Sequence, residues 1–330
     1  MKMNATVPTP TAVAPTQQNL TGIDVGKFVF ACLIPFLHIS FGGSPVKEIF
    51  SQYFARLGVP FFFVVAGMLL AKSVRMRSSK EALSRFEKKN GRLLLTWIIL
   101  YSPIMVVYEG LNLGLAQKVV FQTPGYLWYL TAMLVAAIPF CLVRGRRVLY
   151  VVAGVLYVAG TLFGDTYQWL TGGMPAWYEA IFLTTRNGLL FALPMLCVGE
   201  RIATGETPRH LPVKLVASVV LLVGEIFLVR SKASPDADCS MYLLLPVVIY
   251  YVVAGLRTWN PQIDTRFIRG ASTAIYLLQY GIIAVGKKAF EILSFPMHIG
   301  GWIIYVAVIA GGCIVYALFR RNKWLSKLFG

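Results

Sequence analysis

Residues 23–40 read IDVGKFVFACLIPFLHIS, and most of them are apolar enough for the interior of a bilayer. The stretch nonetheless carries Asp24, Lys27 and His38. Ionisable groups at membrane depth are costly, so they turn toward a bundle interior or a wet cavity and commonly mark function. Lys27 and His38 are 11 residues apart. That is about three turns at roughly 3.6 residues per turn, which predicts one shared helix face with about 16 Å between them along the axis. Asp24 stands three residues before Lys27, the spacing of a same-face pair. The competing reading is structural: His38 satisfied by a neighbouring helix, and Asp24 and Lys27 at a helix end with the lysine reaching to the interface.

Working outward, similar apolar runs recur along the whole chain. Of its 330 residues 57% are hydrophobic, and the mean hydropathy is +0.67, which excludes an ordinary soluble domain. The runs are continuous and do not alternate, so they predict helices, not transmembrane strands. Ten stretches read as spans of a hydrocarbon layer about 30 Å thick. They lie near 23–41, 53–71, 93–111, 126–143, 148–163, 181–199, 215–230, 241–256, 271–286 and 299–318. The expected fold is therefore an all-α polytopic membrane protein of about ten transmembrane helices. Lys and Arg gather in alternate loops, at 72–92, 144–147, 200–214, 257–269 and after 319. That bias predicts cytoplasmic loops there and both termini cytoplasmic. Residues 1–22, rich in Thr, Pro and Ala, read as a disordered cytoplasmic tail. Residues 23–320 read as one transmembrane domain and 321–330 as a basic cytoplasmic tail.

The net charge of +17 sits mostly in those short loops, and no nucleic-acid-reading motif accompanies it, so the expected charged partner is the lipid bilayer and not nucleic acid. The five cysteines show no paired or metal-ligand spacing. Of the three histidines, His210 and His298 fall in loops on opposite sides, so no metal site is expected. The usual nucleophile-elbow, zinc-protease, P-loop and dinucleotide motifs are absent from the sequence.

Other polar residues accompany the apolar runs. Arg56 opens the second span at the level of His38 and reads either as a fork of donors for an anionic or polar substrate group or as an interfacial cation. The 72–92 loop includes Arg85, Lys88, Lys89 and Arg92. Lipid attraction explains its charge, and so does a phosphate clamp in which Lys89 and Arg92, three apart, point the same way. Trp128 and Tyr129 start the fourth span and read as an aromatic belt or as part of a site. Asp165, Tyr167, Arg186 and Asn187 gather at the mouth shared with His38, where Asp165 is a candidate to orient His38 or bind an acceptor hydroxyl. Glu225 and Gln279 are polar groups inside spans, and an intramembrane carboxylate needs a partner.

This set of motifs, in this order, resembles the acyltransferase-3 family of bacterial membrane O-acyltransferases. That family has an Arg, ten residues and a His in the first span, V-P-F-F-F opening the second, and R-x-x-R before the third. The corresponding residues here are Lys27 to His38, VPFFF at 59–63, and Lys89 to Arg92, with LWYL at 127–130 and IYLL at 275–278 also similar. The resemblance covers roughly 23–320. DVGKF, FGDTY and TRNGLLFALP are most similar to the membrane half of vancomycin-resistance serine racemases. Lys27 and Lys89 stand where the family usually has Arg, and Gln279 where many members have His.

The resemblance implies a bacterial cytoplasmic-membrane enzyme that moves an acyl group, usually acetyl, from cytoplasmic acyl-coenzyme A to a hydroxyl on an extracytoplasmic acceptor such as a cell-surface glycan. It implies a catalytic centre at His38 with Lys27 and Asp24, and acetyl-coenzyme A as donor substrate on Arg85, Lys88, Lys89 and Arg92. The acceptor would meet Arg56, Trp128, Tyr129, Asp165, Tyr167, Arg186, Asn187, Glu225 and Gln279. His38 reads equally as a general base or an acyl carrier. The alternative is a transporter for a small polar solute such as an amino acid, with Lys27, Arg56 and Glu225 holding a zwitterion. A third reading is a scaffold in which the polar groups only hold the bundle together.

Overall fold

The computed structural model describes residues 20–329 except 44, 122, 125, 144, 235, 236 and 323. Most of the expected N-terminal tail, residues 1–19, lies outside the described residues. The described chain is helical, with no strand among the described residues. Its α-helices are α1 (Thr21–Leu33), α2 (Pro45–Ile49), α3 (Gly58–Met76), α4 (Ser79–Glu109), α5 (Leu113–Phe121), α6 (Trp128–Leu142), α7 (Arg146–Leu162), α8 (Gln168–Thr171), α9 (Ala176–Phe182), α10 (Leu193–Thr204), α11 (Leu211–Arg230), α12 (Leu245–Thr258), α13 (Arg266–Ile292) and α14 (Met297–Phe319).

Five helical stretches are long and apolar enough to cross a membrane: Phe50–Met76, Ser79–Tyr108, Leu211–Arg230, Arg266–Ile292 and Met297–Phe319. Trp128–Leu142 and Leu245–Thr258 are shorter apolar helices. Multiple apolar helices in an all-helical chain define a multi-pass membrane protein, since only a helix satisfies its own backbone in lipid. Each of the ten apolar stretches is largely helical, but 181–199 is broken at 183–187 and 241–256 becomes helix only at Leu245.

Local sequence sets the helix ends. α4 begins on a serine N-cap, with the Ser78 hydroxyl accepting from the Glu81 amide at 3.2 Å. It ends where Gly110 takes φ +73°, a conformation that suits glycine. α1 is shorter than its apolar run. It stops at Leu33, and Ile34–Leu37 continue as a 3-10 turn with Pro35 near its start. Proline has no amide hydrogen to donate and crowds the preceding turn, so the α pattern cannot run on to His38. This corrects the expectation of one continuous helix from Lys27 to His38. Before α3 the chain winds through a π turn, Phe50–Phe54, and a 3-10 turn, Ala55–Leu57, which carries Arg56.

Small residues bring the helices together. A Cβ at Gly67 of α3 would run into the Leu196 backbone of α10, and one at Gly199 of α10 into the Val64 backbone of α3. Gly22 of α1 meets the Leu256 carbonyl of α12 in the same way, and Gly270 of α13 meets the Tyr316 ring of α14. Close backbone approach at glycine is a common source of packing between membrane helices. The Arg146–Glu200 ion pair at 3.1 Å joins α7 to α10. The region expected as a C-terminal tail is packed in part. Leu325–Phe329 form a 3-10 turn, Phe329 is buried, and the Trp97 indole donates to the Leu328 carbonyl at 2.8 Å.

Candidate active site

Two cavities meet at His38. The larger has a volume of about 770 Å³ and runs between α1, α3, α4, α6 and α13. The smaller, about 390 Å³, is built where the chain enters α3, α6, α10 and α12. His38, Val59, Tyr126 and Trp128 line both and so form the partition between them.

His38 is held by its backbone and its ring face. Its amide donates to the Pro35 carbonyl at 3.0 Å, and its carbonyl accepts from the Lys287 ammonium at 2.9 Å. The imidazole stacks on Tyr126 with centroids 3.7 Å apart and planes 15° from parallel. Tyr126 has φ +62°, a strained region for a bulky residue. The Tyr276 hydroxyl donates to its carbonyl at 3.0 Å, and Tyr280 packs edge-on against its ring. Neighbouring rings and a hydrogen bond thus fix the face that meets His38.

The far end of the larger cavity is basic. Lys27 of α1, Arg85 and Lys89 of α4, and Arg266 and Arg269 of α13 line it. Arg85 and Lys89 share a face because they are four residues apart. Lys88 and Arg92 do not line either cavity, so the same-direction pairing expected for Lys89 and Arg92 gives way to Arg85 with Lys89. The Asp24–Lys27 pair forms at 3.4 Å. Asp24 is buried and also takes the Thr265 hydroxyl at 2.9 Å and Arg269 at 3.4 Å. It therefore joins α1 to the start of α13 and orders two cations of the basic wall. Beside them, hydrogen bonds from Arg266 hold the Asp264 carboxyl below the usual carboxylate range.

Gln279 sits on the same larger cavity, 1% exposed, with neither amide atom hydrogen-bonded among the described residues. Tyr129 lines this cavity as well and packs against Phe63 and Tyr276. Trp128 belongs to the partition and lies under the Arg186 guanidinium at 4.9 Å from the ring centroid, a cation–π contact.

The smaller cavity holds Arg56, Arg186 and Asp238. Arg56 donates to one oxygen of Asp238 at 2.9 Å, and Arg186 donates to the other. Burial raises the Asp238 carboxyl, but the two guanidiniums outweigh it and hold the group below its ordinary range. Lys118, Ser240 and Thr123 complete the polar lining.

Four acceptor candidates from the sequence line neither cavity. Glu225 is structural: one oxygen accepts from the Tyr167 hydroxyl at 2.6 Å and the Leu243 amide at 2.5 Å, the other from the Leu244 amide at 2.9 Å. It thereby caps the start of α12, and Tyr167 is its clamp. Asn187 caps the turn into α10 by accepting from the Leu189 and Leu190 amides at 3.0 Å, and donates to the Tyr178 hydroxyl. Asp165 lines neither cavity and makes no contact with His38 among the described hydrogen bonds. Conversely, Asp238, Tyr126, Lys118, Arg266 and Arg269 enter the site without having been singled out. We expect Glu225→Ala to lower stability by about 3 kcal/mol, since it strands two amides and a hydroxyl. Thermal unfolding in detergent reads that loss.

Comparison with known proteins bears on this arrangement. Residues 20–321 match the acyltransferase-3 family, whose description is "Acyltransferase domain", and the chain belongs to that family. It is similar to an amino-acid racemase of Enterococcus faecalis, 32% identical over 254 residues, or 70% of this chain and 35% of that protein. It is also similar to a serine/alanine racemase of Enterococcus gallinarum, 24% identical over 291 residues, or 82% of this chain and 41% of that protein. The chain thus spans well under half the length of these curated relatives. No solved structure matches.

Proposed function

We propose that the protein takes an acyl group, acetyl in the simplest case, from acyl-coenzyme A in the larger cavity and delivers it to an acceptor hydroxyl in the smaller one. The observation that carries this reading is that His38 lines both cavities. One side of the partition offers cations for phosphates, and the other offers a separate polar chamber. The coenzyme's phosphates would rest on Lys89, Arg85, Arg266 and Arg269. Its narrow arm would run past Lys27 toward His38. There the imidazole takes the proton of the acceptor hydroxyl as the oxygen attacks the thioester carbonyl. The new C–O bond forms, the C–S bond breaks, and the proton passes from His38 to the departing thiolate. The basic-loop bias supports a donor side in the cytoplasm of a bacterial membrane and an acceptor side outside.

Binding of labelled acetyl-coenzyme A to purified protein tests the donor half. Lys89→Ala combined with Arg269→Ala should weaken it at least tenfold, which is about 1.4 kcal/mol. Unchanged affinity in the double variant would remove the donor from the larger cavity. The enterococcal relatives' names favour a second reading, passage of a small amino acid through the same chambers. Uptake of labelled serine by sealed vesicles without any coenzyme A would support that reading against transfer.

A further inference from the structure

The smaller cavity carries a charge pattern that a neutral hydroxyl acceptor does not need. Among its described lining residues are three cations, Arg56, Lys118 and Arg186, and one carboxylate, Asp238. Asp238 is fully engaged, giving one oxygen to each arginine. Each arginine commits one terminal nitrogen to Asp238 and keeps a partly exposed side chain, 11% for Arg56 and 23% for Arg186. Two such guanidiniums on one chamber of about 390 Å³ suggest a ligand that accepts from both. Trp128 supports the Arg186 guanidinium from beneath, and Asp238 tethers both forks, so the donors are organised before anything binds.

Building on the acyl-transfer reading, we propose that the acceptor is a hydroxylated anion. Its carboxylate or phosphate is received by Arg56 and Arg186, and this presents a neighbouring hydroxyl to His38. A guanidinium fork matches either oxyanion with paired hydrogen bonds. The cavity volume suits a small molecule or a single terminal unit of a larger acceptor. Asp238 acts as a positioning residue that tethers both forks through one carboxylate.

Equilibrium binding to the full chain in nanodiscs tests this, with no coenzyme A present. The probes are glycerate against glycerol, and glucuronate and glucose 6-phosphate against glucose. In the wild-type protein at least one anion should bind ten times more tightly than its neutral counterpart. Glucuronate and glucose 6-phosphate then show whether a carboxylate or a phosphate is preferred. Arg186→Gln should reduce the preference to less than threefold, and Arg186→Lys should restore part of it. Anions and neutral partners binding alike, including no binding of either, would overturn the proposal, as would a preference that survives Arg56→Gln with Arg186→Gln. The wild-type comparison stands even if a variant fails to fold. Failure of the transfer reading is seen separately, as the absence of acetyl-coenzyme A binding or of coenzyme A release, and leaves the anion preference measurable.

Discussion

Replacing His38 by alanine should lower acyl transfer roughly a thousandfold, a typical loss for a positioned general base, while labelled acetyl-coenzyme A still binds. The two halves of this expectation come from different parts of the site. The larger cavity's basic wall belongs to α1, α4 and α13 and lies away from the partition. His38 adds no charge to that wall, and its backbone contacts with Pro35 and Lys287 do not involve the ring. What alanine removes is the one titratable imidazole shared by both chambers. Release of free coenzyme A, measured beside equilibrium binding, separates the outcomes. A variant that binds donor and still releases coenzyme A at the wild-type rate would take His38 out of the chemistry. A variant that loses binding as well would point to collapse of the Tyr126 stack and its loop.

The second large effect is on folding. Gly199→Val should prevent assembly of the bundle, and Gly199→Ala should already cost about 3 kcal/mol or more. The added carbon would meet the backbone of Val64 and Met68, not the end of a flexible side chain. Neither helix can give way locally, because Gly67 makes the reciprocal approach to Leu196. Gly154→Ala in α7 is the control. Nothing lies within 4 Å of its added carbon, so the change should stabilise by up to about 1 kcal/mol through helix propensity. Thermal unfolding in detergent compares the three. Equal stability of the Gly199 and Gly154 variants would mean that α3 and α10 do not pack at the glycines.

Much of this was legible in the sequence because apolar runs and charge spacing are local signals. The long helices lie largely on the predicted runs, although α2, α5 and α8 fall outside them, and the Asp24–Lys27 pair follows from three-residue spacing. The number of crossings is less legible, since several helices are shorter than a bilayer span and length alone marks only five. Pro35 is the local sign that the first helix must change pitch before His38, and it outweighs the periodicity that extended the helix. Contacts across the chain left no such trace. Asp238 is 182 positions from Arg56 and 52 from Arg186, in the loop before α12. Glu225 stood out as an intramembrane carboxylate, yet its partners are mostly backbone amides, which every residue but proline offers and no composition reveals.

Four of the five cations on the basic wall of the larger cavity have counterions among the described ion pairs, Lys89 being the exception. Asp24 serves Lys27 and Arg269, Glu81 serves Arg85, and Asp264 serves Arg266. On the acyl-transfer reading, a phosphate arriving at those four would exchange one anion for another. A single inorganic phosphate gains little by such a trade. A ligand bearing several phosphates at once gains repeatedly from one docking event, because each later contact is intramolecular. On the acyl-transfer reading, such a wall would favour a ligand bearing several phosphates over a single one.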